Sequence, residues 1–152
     1  MTETDIRLTI ASEILDEDGG REINEYTLPG VLRTRDGCRR LSYTETGEGG
    51  EVRSELFVAE GRVRLCRTGA IRSKILFSEG NVHRSIYEIP PYRFDMTVTT
   101  EKVHCSFSVD GGEIDLVYRT VIGGAARRCR LTLRILPDTS RKGDSRGTEG
   151  IP

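Results

Sequence analysis

From residue 61 to residue 136 apolar and polar residues alternate almost without a break, and turn sequences interrupt the alternation at short intervals. A period of two sends successive side chains to opposite faces of an extended chain, so each segment predicts a half-buried antiparallel strand. The segments run over 63–68, 72–77, 82–89, 92–99, 103–109 and 114–122, and a last one carries Cys129, Leu131, Leu133 and Ile135. Gly69, Glu79-Gly80-Asn81, Pro90-Pro91 and Asp110-Gly111-Gly112 punctuate them, each built from residues that stop a strand or turn the chain. Upstream, Ile6, Leu8 and Ile10 mark a first strand that ends in the acidic turn Asp16-Glu17-Asp18-Gly19-Gly20. A second segment, 21–33, is expected to bend at Pro29-Gly30, Leu41, Tyr43 and Glu45 share one face of a third, and 52–58 forms a fourth. The pattern gives about ten strands and no helix.

Short consecutive strands joined by tight turns favour nearest-neighbour antiparallel pairing, and closing such a sheet removes its exposed edges. The expected fold is therefore an all-β, antiparallel up-and-down barrel of about 8–10 strands, with a two-sheet sandwich as the alternative, because alternation alone does not separate them. A barrel domain is expected over 1–137. Pro137 stops the last strand, and residues 138–152, mostly Gly, Ser and charge, are expected to form a disordered tail.

A net charge of −1 removes any global attraction to nucleic acid or an anionic membrane. The first residues lack a basic segment leading into an apolar run, and no stretch reaches the length of a membrane span. The chain is accordingly expected to be cytoplasmic, without nucleic-acid or membrane partners. Cys38, Cys66, Cys105 and Cys129 lie far apart with no CxxC spacing, so they are read as reduced thiols, Cys105 and Cys129 in the interior, and not as a metal site.

Two charges fall on the apolar phase. Arg67 follows Val63 and Leu65 in steps of two, and Glu45 follows Leu41 and Tyr43. An inward guanidinium needs oxygen partners, so a bidentate Glu45–Arg67 pair is the natural proposal, with Tyr43, Tyr87 and Tyr118 completing its hydrogen bonds. Such a pair either fixes strand register or leaves Arg67 to hold a carboxylate or phosphate inside the barrel; a bulge at Thr68-Gly69 that turns Arg67 outward is the third reading. Phe94, Met96 and Phe107, with Tyr118, are the apolar candidates for a cavity lining. Outside, Arg128, Arg130 and Arg134 form a basic row that acids such as Glu113 and Asp115 on the preceding strand are expected to pair. His83 and His104 belong to no catalytic set, and Gly47–Gly50 and Gly123-Gly124 lack the Lys and following helix of a phosphate loop.

The run Val63-Arg64-Leu65-Cys66-Arg67-Thr68-Gly69, then Phe77 and Gly80, Tyr87 through Phe94, Ile114-Asp115-Leu116-Val117-Tyr118, and Tyr43-Thr44-Glu45 resembles the bacterial family of small YwiB-like proteins, a domain of unknown function (DUF1934). The resemblance covers most of residues 4–136 and implies a calycin-like, that is lipocalin-like, barrel without an established activity. Its pattern lands on Tyr43, Glu45, Arg67, Gly69, Phe77, Gly80, Tyr87, Phe94 and Tyr118. It departs at Ile89-Pro90-Pro91-Tyr92, where relatives tend to read Thr-Pro-Tyr-Gly.

Two functions follow. One is a non-enzymatic module that binds a small apolar or amphiphilic ligand in the barrel, through Arg67, Glu45, Tyr43, Tyr87, Phe94, Met96, Phe107 and Tyr118, with no cofactor and no metal. The alternative is a structural or interaction protein that works through its outer surface, for instance as a homodimer.

Overall fold

The computed structural model describes residues 2–109 and 111–138. The expected tail lies outside these residues except for Asp138, which is buried and donates its N–H to the Asp5 carbonyl (3.2 Å). Among the described residues there are ten strands and no helix: β1 (Thr2–Asp16), β2 (Arg21–Arg35), β3 (Cys38–Gly47), β4 (Gly50–Ala59), β5 (Arg62–Gly69), β6 (Ser73–Phe77), β7 (Val82–Ile89), β8 (Tyr92–Phe107), β9 (Gly112–Ile122) and β10 (Ala125–Pro137). They form one antiparallel sheet in the order β6-β5-β4-β3-β2-β1-β10-β9-β8-β7.

Sequence neighbours pair throughout except at one place. β1 pairs with the last strand, β10, from Ile6–Pro137 to Asp16–Arg127, and this joins the two ends of the chain. The sheet edges are then β6 and β7, which are consecutive in sequence and meet face to face. Only one bridge links their backbones, at Arg72 and Glu88, where each N–H donates to the other's carbonyl at 2.9 Å. One side-chain bond adds to it: the Leu76 N–H donates to His83 Nδ1 at 3.3 Å. The turn between the edges gives its hydrogen bonds to a third strand, since the Gly80 N–H donates to the Thr100 carbonyl and the Thr100 N–H to that of Asn81. The result is a nearly closed barrel with a seam between β6 and β7.

Two details differ from the pattern reading. The strands expected over 92–99 and 103–109 are one strand, β8, interrupted by a register shift between Thr100 and Lys102. No Gly or Pro lies between them, so nothing turns the chain; one extra residue moves the inward phase from Met96, Val98 and Thr100 to Val103, Cys105 and Phe107. The expected bend at Pro29-Gly30 is a change of pairing instead. β2 stays on β1 through Pro29 (opposite Arg7), but its ladder with β3 begins only at Gly30, because Pro29 has no N–H to offer.

The interior is packed by Ile6, Leu8, Leu41, Leu56, Val63, Phe77, Val98, Ile114, Leu116 and Leu133, all essentially inaccessible. All four cysteines are free thiols, Cys129 buried and Cys105 half-buried. On the outer face of β8–β10 the basic row is paired. Asp115 accepts two bonds from Arg130 (3.0 and 3.2 Å) and one from Lys102 (3.2 Å). Glu101, at the register shift, accepts from Arg119 (2.8 Å) and Arg128 (3.0 Å), and Arg134 lies 3.9 Å from Glu113.

The arginines hold both carboxyls low: Glu101 is brought down to about 2 by its bonds to Arg128 and Arg119, and Asp115 is lowered chiefly by Arg130. A lowered folded-state value contributes stability above the unfolded value and loses it as pH falls toward the folded one. The urea midpoint is expected to stay level above about pH 5 and to fall between about pH 4.5 and 2, with Glu101→Gln and Asp115→Asn each flattening part of that fall. Gly69 tests the backbone. It has φ +103°, and an added Cβ would drive into the Glu51 carbonyl oxygen, so Gly69→Ala is expected to lower unfolding free energy by about 1–3 kcal/mol in urea melts.

Candidate functional site

The inward positions near the seam change character along each strand. On β4 Ser54 precedes Leu56 and Val58, on β5 Arg67 follows Val63 and Leu65, and on β6 Ser73 precedes Ile75 and Phe77. Register brings these polar residues into one row: Tyr43 lies opposite Ser54, Ser54 opposite Arg67, and Arg67 opposite Ser73. Neighbouring strands are about 4.8 Å apart, so the row is a continuous polar band across four strands. Ser85 on β7 faces it across the seam, and Arg67, Ser73 and Ser85 line a common pocket of about 410 Å³ with Thr68, Arg72 and Glu88.

Among the described residues, four buried atoms of this band, Ser54 Oγ, Arg67 Nε, Ser73 Oγ and Ser85 Oγ, have no hydrogen-bond partner, and all but Ser54 belong to residues that line this pocket. A buried polar group left unsatisfied costs about 1–3 kcal/mol, more when charged. The fifth such atom, Thr100 Oγ1, lies by the turn that crosses to β8. Arg67, Arg72 and Lys74 make the pocket electropositive; its single carboxylate, Glu88, lies 3.7 Å from Arg93.

The expected Glu45–Arg67 pair does not form. Glu45 instead accepts the hydroxyl proton of Tyr26, which lies on β2 where that strand has left the β3 ladder. The Tyr26–Glu45 bond thus ties two strands that the backbone no longer joins. Arg67 does point inward, and its field reaches tyrosines on three other strands. Burial raises the phenols of Tyr43, Tyr118 and Tyr26 above their ordinary value, and the Arg67 guanidinium pulls each back.

The residues expected to line a cavity are not brought together. Met96 is buried in the core, and the Tyr118 ring packs on Phe77 with centroids 4.8 Å apart. Phe94 is 38% exposed near the start of β8, opposite the half-buried Tyr87, while Phe107 at the other end of β8 lies under the Arg39 guanidinium, 4.5 Å from the ring centroid. The apolar interior is filled by these contacts, and the polar groups collect at the seam. The three serines were visible as polar residues on the apolar phase, yet a small hydroxyl there reads as core filler; only the register shows them around Arg67. His83, without a role in the sequence pattern, is a seam residue whose Nδ1 is occupied by the Leu76 N–H. Among the described residues no group of His, Cys, Asp and Glu is placed to hold a metal ion, and no helix is long and apolar enough to cross a membrane.

Comparison with known proteins agrees with this architecture. The chain is 26% identical over 121 residues to the uncharacterised β-barrel protein YwiB of Bacillus subtilis (strain 168), covering 80% of this chain and 84% of that one. The crystal structure of the B. subtilis ywiB protein superposes with a TM-score of 0.82 at 24% identity, over 89% of this chain and 92% of the other. The family model of the domain of unknown function DUF1934 matches residues 8–133, a span that takes in the seam and every residue of the polar band, and the chain belongs to that family.

Proposed function

We propose that this protein is a non-enzymatic, cytoplasmic binding module that holds a small oxyanion, a carboxylate or phosphate on a compact and partly apolar molecule, in the seam pocket beside Arg67. The observation that carries this reading is the set of three buried polar atoms, Arg67 Nε, Ser73 Oγ and Ser85 Oγ, that have no partner among the described residues and line one pocket. A guanidinium with two hydroxyls is suited to an oxyanion: the N–H groups donate to its oxygens, and each hydroxyl rotates to donate as well. Ile86 supplies an apolar wall and Arg72 and Lys74 a basic lip. An extended apolar chain in the lumen is disfavoured, since Phe77, Met96 and Tyr118 already fill it. Catalysis is disfavoured too, because neither serine has a general base beside it and the Nδ1 of His83 is already engaged.

Native mass spectrometry of protein purified from its own host is expected to show a retained oxyanion-bearing molecule. In thermal melts, inorganic phosphate or short carboxylates such as butanoate and octanoate should stabilise the protein with saturation, by about 2.7 kcal/mol at a hundredfold excess over Kd. Arg67→Met should abolish that response and leave the apo protein's melting unchanged or raised. A loss of about 3–5 kcal/mol in the apo protein, with no ligand response in the wild type, would instead assign Arg67 a structural role.

Ser73→Ala gives a separate check. It removes a buried hydroxyl that has no partner among the described residues, so apo stability should rise by up to about 1 kcal/mol while oxyanion binding weakens. A destabilised apo variant with unchanged binding would count against the site.

A further inference from the structure

On the opposite end of the same strands from the polar band, and on the outer face, the register sets Arg33 opposite Arg40, Arg40 opposite Phe57, Phe57 opposite Arg64, and Arg64 opposite Leu76. This row crosses five strands, about 19 Å, and floors a groove of about 820 Å³. Seven lining residues are cationic, Arg35, Arg39, Arg62 and Lys74 joining the three arginines of the row, and one, Glu60, is acidic. Like charges directly opposite on neighbouring strands destabilise a sheet, yet Arg33 and Arg40 are so placed. Arg33 and Arg40 have carboxylates at 3.6 Å (Glu3) and 3.2 Å (Glu55), and Arg35 an exposed neighbour in Asp36 at 3.8 Å. Arg39, Arg62, Arg64 and Lys74 have no carboxylate within 4.0 Å among the described residues, in contrast to the acid-paired row on β8–β10.

Two of these arginines, Arg40 with its Glu55 partner and the unpaired Arg64, also lie by an aromatic ring. The guanidinium carbons of Arg40 and Arg64 lie 5.8 and 5.5 Å from the centroid of the Phe57 ring, which stands between them in the row. A guanidinium within cation–π range of an aromatic ring keeps N–H groups for oxygen, and ring and guanidinium together offer π-surface to a further flat group.

We propose that this groove binds single-stranded nucleic acid, with the phosphates on the unpaired cations and bases against Phe57 and its flanking guanidinium groups. A single strand supplies both a spaced row of anions and flat π-faces; an acidic peptide supplies only the first. A duplex is read by an element that enters one of its grooves, and here the cations lie in a concavity. A membrane would need protruding apolar anchors, whereas Val58 and Ile75 of the lining are buried. The groove lies toward the other end of the strands from the seam pocket, and Lys74 lines both.

Fluorescence anisotropy with labelled ten-residue oligouridylate and oligothymidylate tests this. Binding is expected at 20 mM NaCl and should weaken with salt with a log–log slope of about −2.8, from about −0.7 per phosphate and four unpaired cations. The double variant Arg62→Ala/Arg64→Ala should cut the slope by about half and weaken binding at every salt concentration, with an unchanged melting curve. Arg128→Ala, on the acid-paired face, and Arg67→Met, in the seam, should bind as wild type. No anisotropy change at 20 mM NaCl overturns the proposal. So does binding that survives Arg62→Glu/Arg64→Glu, displacement by inorganic polyphosphate as effective as by unlabelled oligouridylate, or co-sedimentation with phosphatidylglycerol vesicles without oligonucleotide binding.

Discussion

The pairing of β1 with β10 is the contact on which the rest of the barrel depends. It joins residues more than a hundred positions apart, from Ile6–Pro137 to Asp16–Arg127, and so carries a large loop-closure cost that the buried Ile6, Leu8, Ile10, Leu133 and Ile135 offset. Once the chain ends meet in the middle of the sheet, the edges must fall at β6 and β7. These strands are joined by a short turn, so they are brought together automatically. They do not zip, because the backbone of that turn is bonded to Thr100 of β8. The barrel therefore has one weak place, fixed by topology and not by a run of unusual residues.

That weak place explains where polarity is tolerated. A serine hydroxyl or a guanidinium deep in a closed lumen would pay its full desolvation cost; beside an incompletely bonded seam it has access to whatever enters there. Arg67, Ser73 and Ser85 line the seam pocket, and on β4, β5 and β6 the inward positions turn apolar two residues away from Ser54, Arg67 and Ser73. Glu45 sits at the same end but is drawn away by Tyr26, because β2 separates from β3 at Pro29 and a side-chain bond spans the gap. Register also keeps it from Arg67: Glu45 lies level with Val52 and Gly69, two residues along from the row of Tyr43, Ser54 and Arg67, and β4 stands between the two charges.

How much of this was legible in the sequence depended on the range of the interaction. Strand phase is local, so the inward direction of Arg67, Tyr43 and Tyr118 and the run of turns could be read directly. Even the phase change between Thr100 and Val103 is in the sequence, although it reads equally as a turn between two strands. The β1–β10 closure was favoured only by the argument that edges are costly. Partner choice was not legible: the Glu45–Arg67 pair was inferred from matching phases, but phase says which face a side chain takes and not which strand lies opposite. The serines near Arg67 and the alignment of Arg33, Arg40 and Arg64 with Phe57 depend on register over several strands, and no spacing along the chain encodes that.

The net charge of −1 conceals a division of labour between the two sides of the barrel. On the β8–β10 face each arginine of the row lies by an acid; Asp115 is covered so well by Arg130 and Lys102 that it is only 7% exposed. On the β3–β5 face the acids do not keep pace. Ser42 and Arg40 share Glu55, and past that residue the cations have one another, Phe57 and Glu60 for company. Charge pairing could have been equalised by moving a few acidic residues across the sheet, at no cost to the core, since these positions point outward, all but Arg39, which shares the inward phase of Leu41 and lies over Phe107. The uneven distribution therefore does nothing for the fold. Its effect is a local positive potential on a protein that is globally near neutral, which attracts anions to one face without drawing the whole surface into unspecific binding.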